Sequence, residues 1–182
     1  DQPRKPEGMN ACIMGGSGGS SVVFADACDE YGLTLPPLST ATQAALWTLM
    51  PKAVSVDNPI DYAAGFLTAE DTPAFEQVVE HVLSDPAVDT LGVMFATVIG
   101  MNILNGAKAL AAVQARHDKP IYAFCSAPAD LCAGAFELLE DAGIPNFPSP
   151  NRVAKVIALN AQWLRDRQAL GNKITPGLEA KI

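Results

Sequence analysis

Between Gly15 and Ser21 the chain reads "GGSGGSS", four glycines and three serines set between an apolar run, "NACIM", and an amphipathic one, "GSSVVFADACDEYG". Glycines let the main chain turn sharply and let a ligand come close to the backbone. A helix starting there aims its unpaired N–H groups and the positive end of its dipole back at the loop. The stretch therefore predicts an anion site, for a phosphate. A tight turn alone would need one glycine rather than four.

Familiar motifs built from these residue types do not fit. A P-loop ends in Gly-Lys-Ser/Thr, and no lysine precedes the helix here. The dinucleotide fingerprint G-x-G-x-x-G, counted from Gly16, requires glycine where Ser21 stands. The pattern G-x-S-x-G does occur, at Gly15, Ser17 and Gly19, between a strand and a helix as in a nucleophile elbow. Hydrolase sheets place that elbow after several strands, however, and here it follows the first. His81 falls within a helix and His117 at the far end of another, away from the loop. A flavin needs aromatic or apolar covers on the loops after the third and fourth strands, and "TVIGMN" and "SAPADL" contain no aromatic residue. A flavin-binding electron carrier stays as a weakly supported alternative.

Asp57, Asn58 and Asp61, in "SVDNPIDYAAGF", form the other polar cluster. Asn58 precedes Pro59 and is biased toward an extended backbone. By residue type the cluster reads as an Asx-type turn whose side chains satisfy local backbone. Trp47 and Trp163 sit at helical spacing among apolar residues and read as packing or interface residues. Glu76, Glu80 and Glu140 fall on solvated helix faces, and no residue is assigned a catalytic or metal-ligating role.

The elements that would position the loop follow from periodicity and breakers. "NACIM" is a strand. "GSSVVFADACDEYG" is a helix with apolar positions Val22, Val23, Ala25, Ala27 and Cys28. "LTLPPL" suits an edge strand, "STATQAALWTLMP" is a capped helix, and "AVSVDNPIDYAAGFL" is an ordered loop. Beyond it, helix and strand alternate: helix 68–86 with Pro73 in its first turn, strand 88–98, helix 102–118, strand 120–126, helix 128–143, strand 145–149 and helix 151–170. Such alternation makes right-handed crossovers and a parallel sheet. The predicted fold is α/β, a flavodoxin-like, three-layer, doubly wound sheet of five strands in the order 2-1-3-4-5. Ligands of such sheets lie beyond the carboxyl ends of the strands. The loop at 15–21 would have residues 96–98, 125–127 and 148–150 as neighbours.

At 182 residues, 49% hydrophobic and 18% charged, the chain has the composition of one globular domain. Its net charge of -8 argues against nucleic acid or an anionic membrane as a partner. No apolar run reaches spanning length, and a cytoplasmic location is expected. Cys12, Cys28, Cys125 and Cys132 form no C-x-x-C pair and read as reduced, buried apolar residues. The tails, residues 1–8 and 171–182, are polar and rich in Pro, Gly and Lys, like linkers, which leaves a domain at 9–170.

The joint occurrence of "ACIMGGSGGSSVVFADACDEYGLTLPPLSTATQAAL", "LMPKAVSVDNPIDY", "DPAVDTLGVMF", "KPIYAF" and "LLEDAGIPNFPSPNRVAKVIA" resembles the NDP-forming acyl-CoA synthetases, relatives of succinyl-CoA synthetase, in their second flavodoxin-like domain. The likeness covers roughly residues 9–164. It implies a reaction spread over several domains: an acyl phosphate forms, its phosphoryl group passes to a histidine, and the phosphohistidine delivers it to ADP in an ATP-grasp domain. The domain similar to this one would aim a helix N-terminus at the phosphohistidine. Ser17, Gly18, Gly19 and Ser20 would be the phosphate-contacting positions, with Asn58 and Asp61 lining the same site. The resemblance implies no cofactor held by this domain, with ATP or ADP, Mg and CoA used by a parent enzyme. Partners would be the CoA-binding, phosphohistidine and ATP-grasp domains or subunits, in an oligomer. The phosphorylated histidine belongs to the companion domain. A second class of function is a regulatory or scaffold module of a multidomain protein acetyltransferase.

Overall fold

Alternation of side chains across strands buried on both faces dictates two cores, one on each side of a sheet. The computed structural model of the chain, which describes residues 4–63 and 66–178, has that arrangement. Strands β1 (Ala11–Gly15), β2 (Ile60–Asp61), β3 (Thr90–Ala96), β4 (Ile121–Cys125) and β5 (Asn146–Phe147) form one parallel sheet in the order β2-β1-β3-β4-β5. Cys12, Met14, Leu91, Val93, Ile121 and Ala123 face one core; Ile13, Met94, Tyr122 and Phe124 face the other.

Helices α1 (Gly18–Glu30) and α6 (Pro150–Leu178) cover the second core. Helices α2 (Thr40–Leu49), α3 (Thr72–Ser84), α4 (Gly100–Gln114) and α5 (Ala135–Asp141) pack in succession over the first. The expected flavodoxin-like architecture and strand order are present.

Four local expectations are corrected. "LTLPPL" is not the edge strand: only Thr34 bridges to Asn10, and two prolines remove ladder donors nearby. The edge is β2, inside the stretch read as a loop, and at two residues it is too short to show a period. The helix expected over 128–143 is broken into one 3-10 turn (Ala129–Leu131) and α5, because Ala133 and Gly134 both take left-handed backbone, φ +49° and +78°. In α1 the buried face is Ser21, Phe24, Ala27 and Cys28, so Val22 and Val23 face outward, 61% and 47% exposed. Helix α6 runs to Leu178, past the expected boundary at 170. Of the expected linkers, residues 1–3 and 179–182 lie outside the described residues.

The amino edge of the sheet is pinned by side chains. Buried Asp85 accepts from the backbone of Ser39 and Ala87, each at 2.9 Å, and its own carbonyl accepts from Lys119 Nζ at 2.8 Å. Gln114 donates to the His117 and Lys119 carbonyls and accepts from Ile121 N. Nearby, Arg116, just past the end of α4, bridges Glu76 and Glu80 of α3, and Glu80 also meets His117 at 2.6 Å.

Candidate functional site

At the opposite, carboxyl edge, β1 ends at Gly15 and α1 begins at Gly18. Ser17 is the N-cap residue, with extended backbone and no side-chain cap bond. The first helical bond runs from Ser21 N to the Ser17 carbonyl at 3.0 Å. By helix geometry the amides of Gly18, Gly19 and Ser20 then have no intrahelical acceptor. Gly18 and Gly19 are exposed, so the amides of the first turn face outward where the strand order reverses between β1 and β3.

The loop's glycines are not there for left-handed backbone, since none of Gly15, Gly16, Gly18 and Gly19 has it. Gly15 and Gly16 serve close packing. A Cβ on Gly15 would come within 2.8–2.9 Å of the Met94 side chain, and one on Gly16 within 2.9 Å of the Ala63 carbonyl oxygen and the Tyr62 ring. Around Gly19 there is open space. Backbone strain sits on the facing loops instead, at Ala63 (φ +64°) and Ala96 (φ +50°).

Asp61 joins this site and Asn58 does not point its polar atoms there. A Cβ on Gly18 would lie 3.5 Å from Asp61 Oδ2, while Asp61 Oδ1 accepts from Ala63 N at 2.9 Å in an Asx-type turn. The side chain of Asn58, which precedes a cis peptide to Pro59, is spent on backbone: Oδ1 accepts from Ile13 N, and Nδ2 donates to the Ala11 and Pro36 carbonyls. Ala11 and Ile13 lie on β1, and Pro36 lies in the segment between α1 and α2.

Between the loops after β1, β2 and β3 lies a cavity of about 200 Å³, which the sequence did not reveal. Gly16, Ser17, Ala63, Ala96, Thr97 and Asn102 line its rim with Tyr62, Phe66, Leu67, Met94, Phe95 and Val98 behind. The Tyr62 hydroxyl donates to the Met94 carbonyl at 3.3 Å, and burial, reinforced by Asp61, pushes its pKa well above the usual phenol range. Tyr62 is thus a neutral wall. Of the other expected neighbours, Ser126 reaches only the Ala96 carbonyl. Burial pushes the Cys125 thiol up to about 11, which disfavours its thiolate at neutral pH. Among the described residues no three His, Cys, Asp or Glu side chains converge. No helix among them is long and apolar enough to cross a membrane.

Exposed apolar side chains lie on the same edge of the sheet: Val22, Ile99, Met101 and Leu131, between 47% and 61% exposed.

A Ligase-CoA domain profile matches residues 11–171. The chain is 27% identical over 154 residues to acetate–CoA ligase [ADP-forming] I of Archaeoglobus fulgidus, covering 85% of this chain and 21% of that protein. It is 30% identical over 190 aligned positions to trans-feruloyl-CoA synthase FCS1 of an unknown prokaryotic organism, covering 95% of this chain and 25% of that one. The crystal structure of PH0766 from Pyrococcus horikoshii OT3 superposes with a TM-score of 0.77 at 28% identity, over 87% of this chain and 36% of the other. The chain thus spans about a quarter of the length of these two relatives.

Proposed function

This chain belongs to the Ligase-CoA domain family, and from that premise we propose that it is the second flavodoxin-like domain of an ADP-forming acyl-CoA synthetase. In that reading acyl-CoA and phosphate give an acyl phosphate and free CoA, a histidine of the companion domain takes the phosphoryl group and releases the carboxylate, and an ATP-grasp domain passes the group from the phosphohistidine to ADP, forming ATP and freeing the histidine. This chain holds the phosphoryl group during transfer, through the amides of Gly18, Gly19 and Ser20 and the Ser17 hydroxyl. Fixed amide dipoles at a helix N-terminus stabilise the transferring charge without a lysine and without reorganising.

The observation that carries the reading is the uncapped, outward-facing first turn of α1 at the switch point of the sheet. The names of the two relatives, an acetate–CoA ligase and a feruloyl-CoA synthase, both of which name formation of an acyl-CoA, support it. The exposed apolar residues on this edge suit docking of the companion domain, which would exclude water from the transfer. Asp61 shapes the anion site from one side, and Asn58 holds β1 in place beneath it. ATP, ADP, Mg and CoA are used by the parent, in the cytoplasm and in an oligomer. The domain spans residues 9–170, joined to its neighbours by residues 1–8 and by 171–182, the latter beginning as the continuation of α6.

The test uses the full-length protein and ATP labelled in its γ-phosphate. Acid-labile, alkali-stable label on protein, discharged by CoA with a suitable acid, is the expected result. Absence of label in a folded protein that binds ATP would overturn the ligase reading.

A further inference from the structure

We infer that Cys125 and Cys132 form a modification site, a dithiol that hydrogen peroxide converts to a reducible disulfide, closing the loop after β4 against the end of its strand. This chemistry does not depend on which ligand the α1 turn holds.

The fold of residues 125–132 builds the pair. Cys125 ends β4 at the carboxyl edge. Bonds from Leu131 N to the Pro128 carbonyl and from Cys132 N to the Ala129 carbonyl, each at 3.0 Å, then wind the chain back. Cys132 Sγ donates to the Pro128 carbonyl at 3.3 Å, and the two thiol groups hydrogen-bond each other. Both cysteines are packed in the first core, under a loop whose Ser126, Pro128, Ala129, Asp130 and Leu131 are exposed. One loop thickness therefore separates the dithiol from solvent.

That cover selects the oxidant. Cys125 is 3% exposed and Cys132 not at all, so only a molecule near the size of water reaches sulfur, and it meets Cys125 first. The Cys125 thiolate attacks a peroxide oxygen, an S–O bond forms as the O–O bond breaks, and the departing hydroxide takes up the thiol proton as water. The Cys132 sulfur then attacks the sulfenic sulfur, the S–S bond forms as the S–O bond breaks, and hydroxide leaves with the Cys132 proton as a second water. Both sulfurs are oxidised and the peroxide is reduced. Burial raises the Cys125 thiol to about 11, and beyond burial only the Ala127 amide and Cys132 act on it. The first step is therefore slow at neutral pH and quickens with alkali.

The bridge would be felt at the candidate site. Cys125 Sγ faces the Val98 carbonyl at 4.0 Å, and Ser126 donates to the Ala96 carbonyl through both its amide and its hydroxyl. The loop after β4 is thus fastened to the loop that carries Val98 into the cavity beside α1. Oxidation removes both thiol protons, and with them the donors that the Val98 and Pro128 carbonyls now have.

The test treats the 182-residue chain with hydrogen peroxide, denatures it, alkylates with iodoacetamide and digests with trypsin. Lys119 precedes proline, so both cysteines fall in one peptide, 117–152, apart from Cys12 and Cys28. That peptide should be unalkylated and lighter by two hydrogens, should regain both thiols with dithiothreitol, and should form at a rate that rises about tenfold per pH unit. In Cys132→Ala the reaction should stop at a Cys125 sulfenic acid that dimedone labels. Amide NMR of the oxidised chain should show shifts at 96–98 and 125–134 with the rest of the sheet unchanged. The mass result on wild type decides should that variant fold poorly. Peptide 117–152 alkylated at both cysteines after peroxide, Cys125 carried to a sulfinic acid beside a free Cys132, or a bridge to Cys12 or Cys28 would overturn the inference.

Discussion

Asn58 and Ile13 are joined side chain to backbone, the Asn58 Oδ1 accepting from the Ile13 amide at 3.1 Å as an extension of the β1 edge above which β2 pairs. With its Nδ2 donating to Ala11 and Pro36 as well, Asn58 ties three segments together.

Asn58→Ala should therefore act first on stability, by about 3 kcal/mol, because it leaves partly buried backbone groups unpaired. Urea unfolding gives the loss. Phosphate affinity measured where the variant is still fully folded should change little; a large drop there would make Asn58 a direct contact.

Gly16 and Gly19 should respond oppositely to the same methyl group. Gly16→Ala drives a Cβ into the Ala63 carbonyl, a backbone atom that cannot swing aside, and should both destabilise the fold and displace the loop. Gly19→Ala enters open space in a helical turn and should stabilise by about 0.5 kcal/mol, with phosphate contacts kept. Gly19→Asp, which adds a negative charge where phosphate approaches, should abolish phosphoryl transfer. Thermal melts and the labelling assay separate the three.

Asp85 should make stability acid-sensitive. Burial alone would raise its pKa, but hydrogen bonds from Thr42, Ala87 and Ser39 prevail and hold it below the ordinary carboxylate value. A carboxylate depressed in the folded state stabilises above its unfolded pKa, about 3.9, and that stability is lost as pH falls through the folded pKa. Wild type should lose stability below about pH 4, and Asp85→Asn should start lower at neutral pH and show a flatter acid limb. Equal slopes in pH-dependent urea titrations would remove Asp85 from the account.

Gly92→Ala should destabilise by about 1–3 kcal/mol, since its Cβ would lie 2.6 Å from the Phe24 ring in a filled core. Phe24→Leu in the same background should recover part of the loss, as read by chemical denaturation.

Much of this was legible in the chain. "VDTLGVMFATV" and "PIYAFCS" announce buried parallel strands, and "GGSGGSS" announces the turn between β1 and α1. The two-residue strand at Ile60 was not legible, since its pairing is decided by the Asn58 side chain reaching β1, a contact 45 residues away in sequence. Nor was the break at Ala133 and Gly134, because a lone glycine is tolerated inside a helical pattern and the left-handed backbone of its alanine neighbour leaves no mark in the sequence. The cavity was hidden because its walls come from three separate loops. The purpose of the loop glycines was misread as conformational freedom, when two of them leave room for Met94, Tyr62 and Ala63.

The pinning network around Asp85, Lys119 and Gln114 lies at one end of the strands and the α1 loop at the other. That separation gives a lineage two nearly independent dials. Substitutions at the amino end can change stability while the α1 loop keeps its geometry, and substitutions in the carboxyl-end loops can reshape the surroundings of the α1 turn while the pinning network holds.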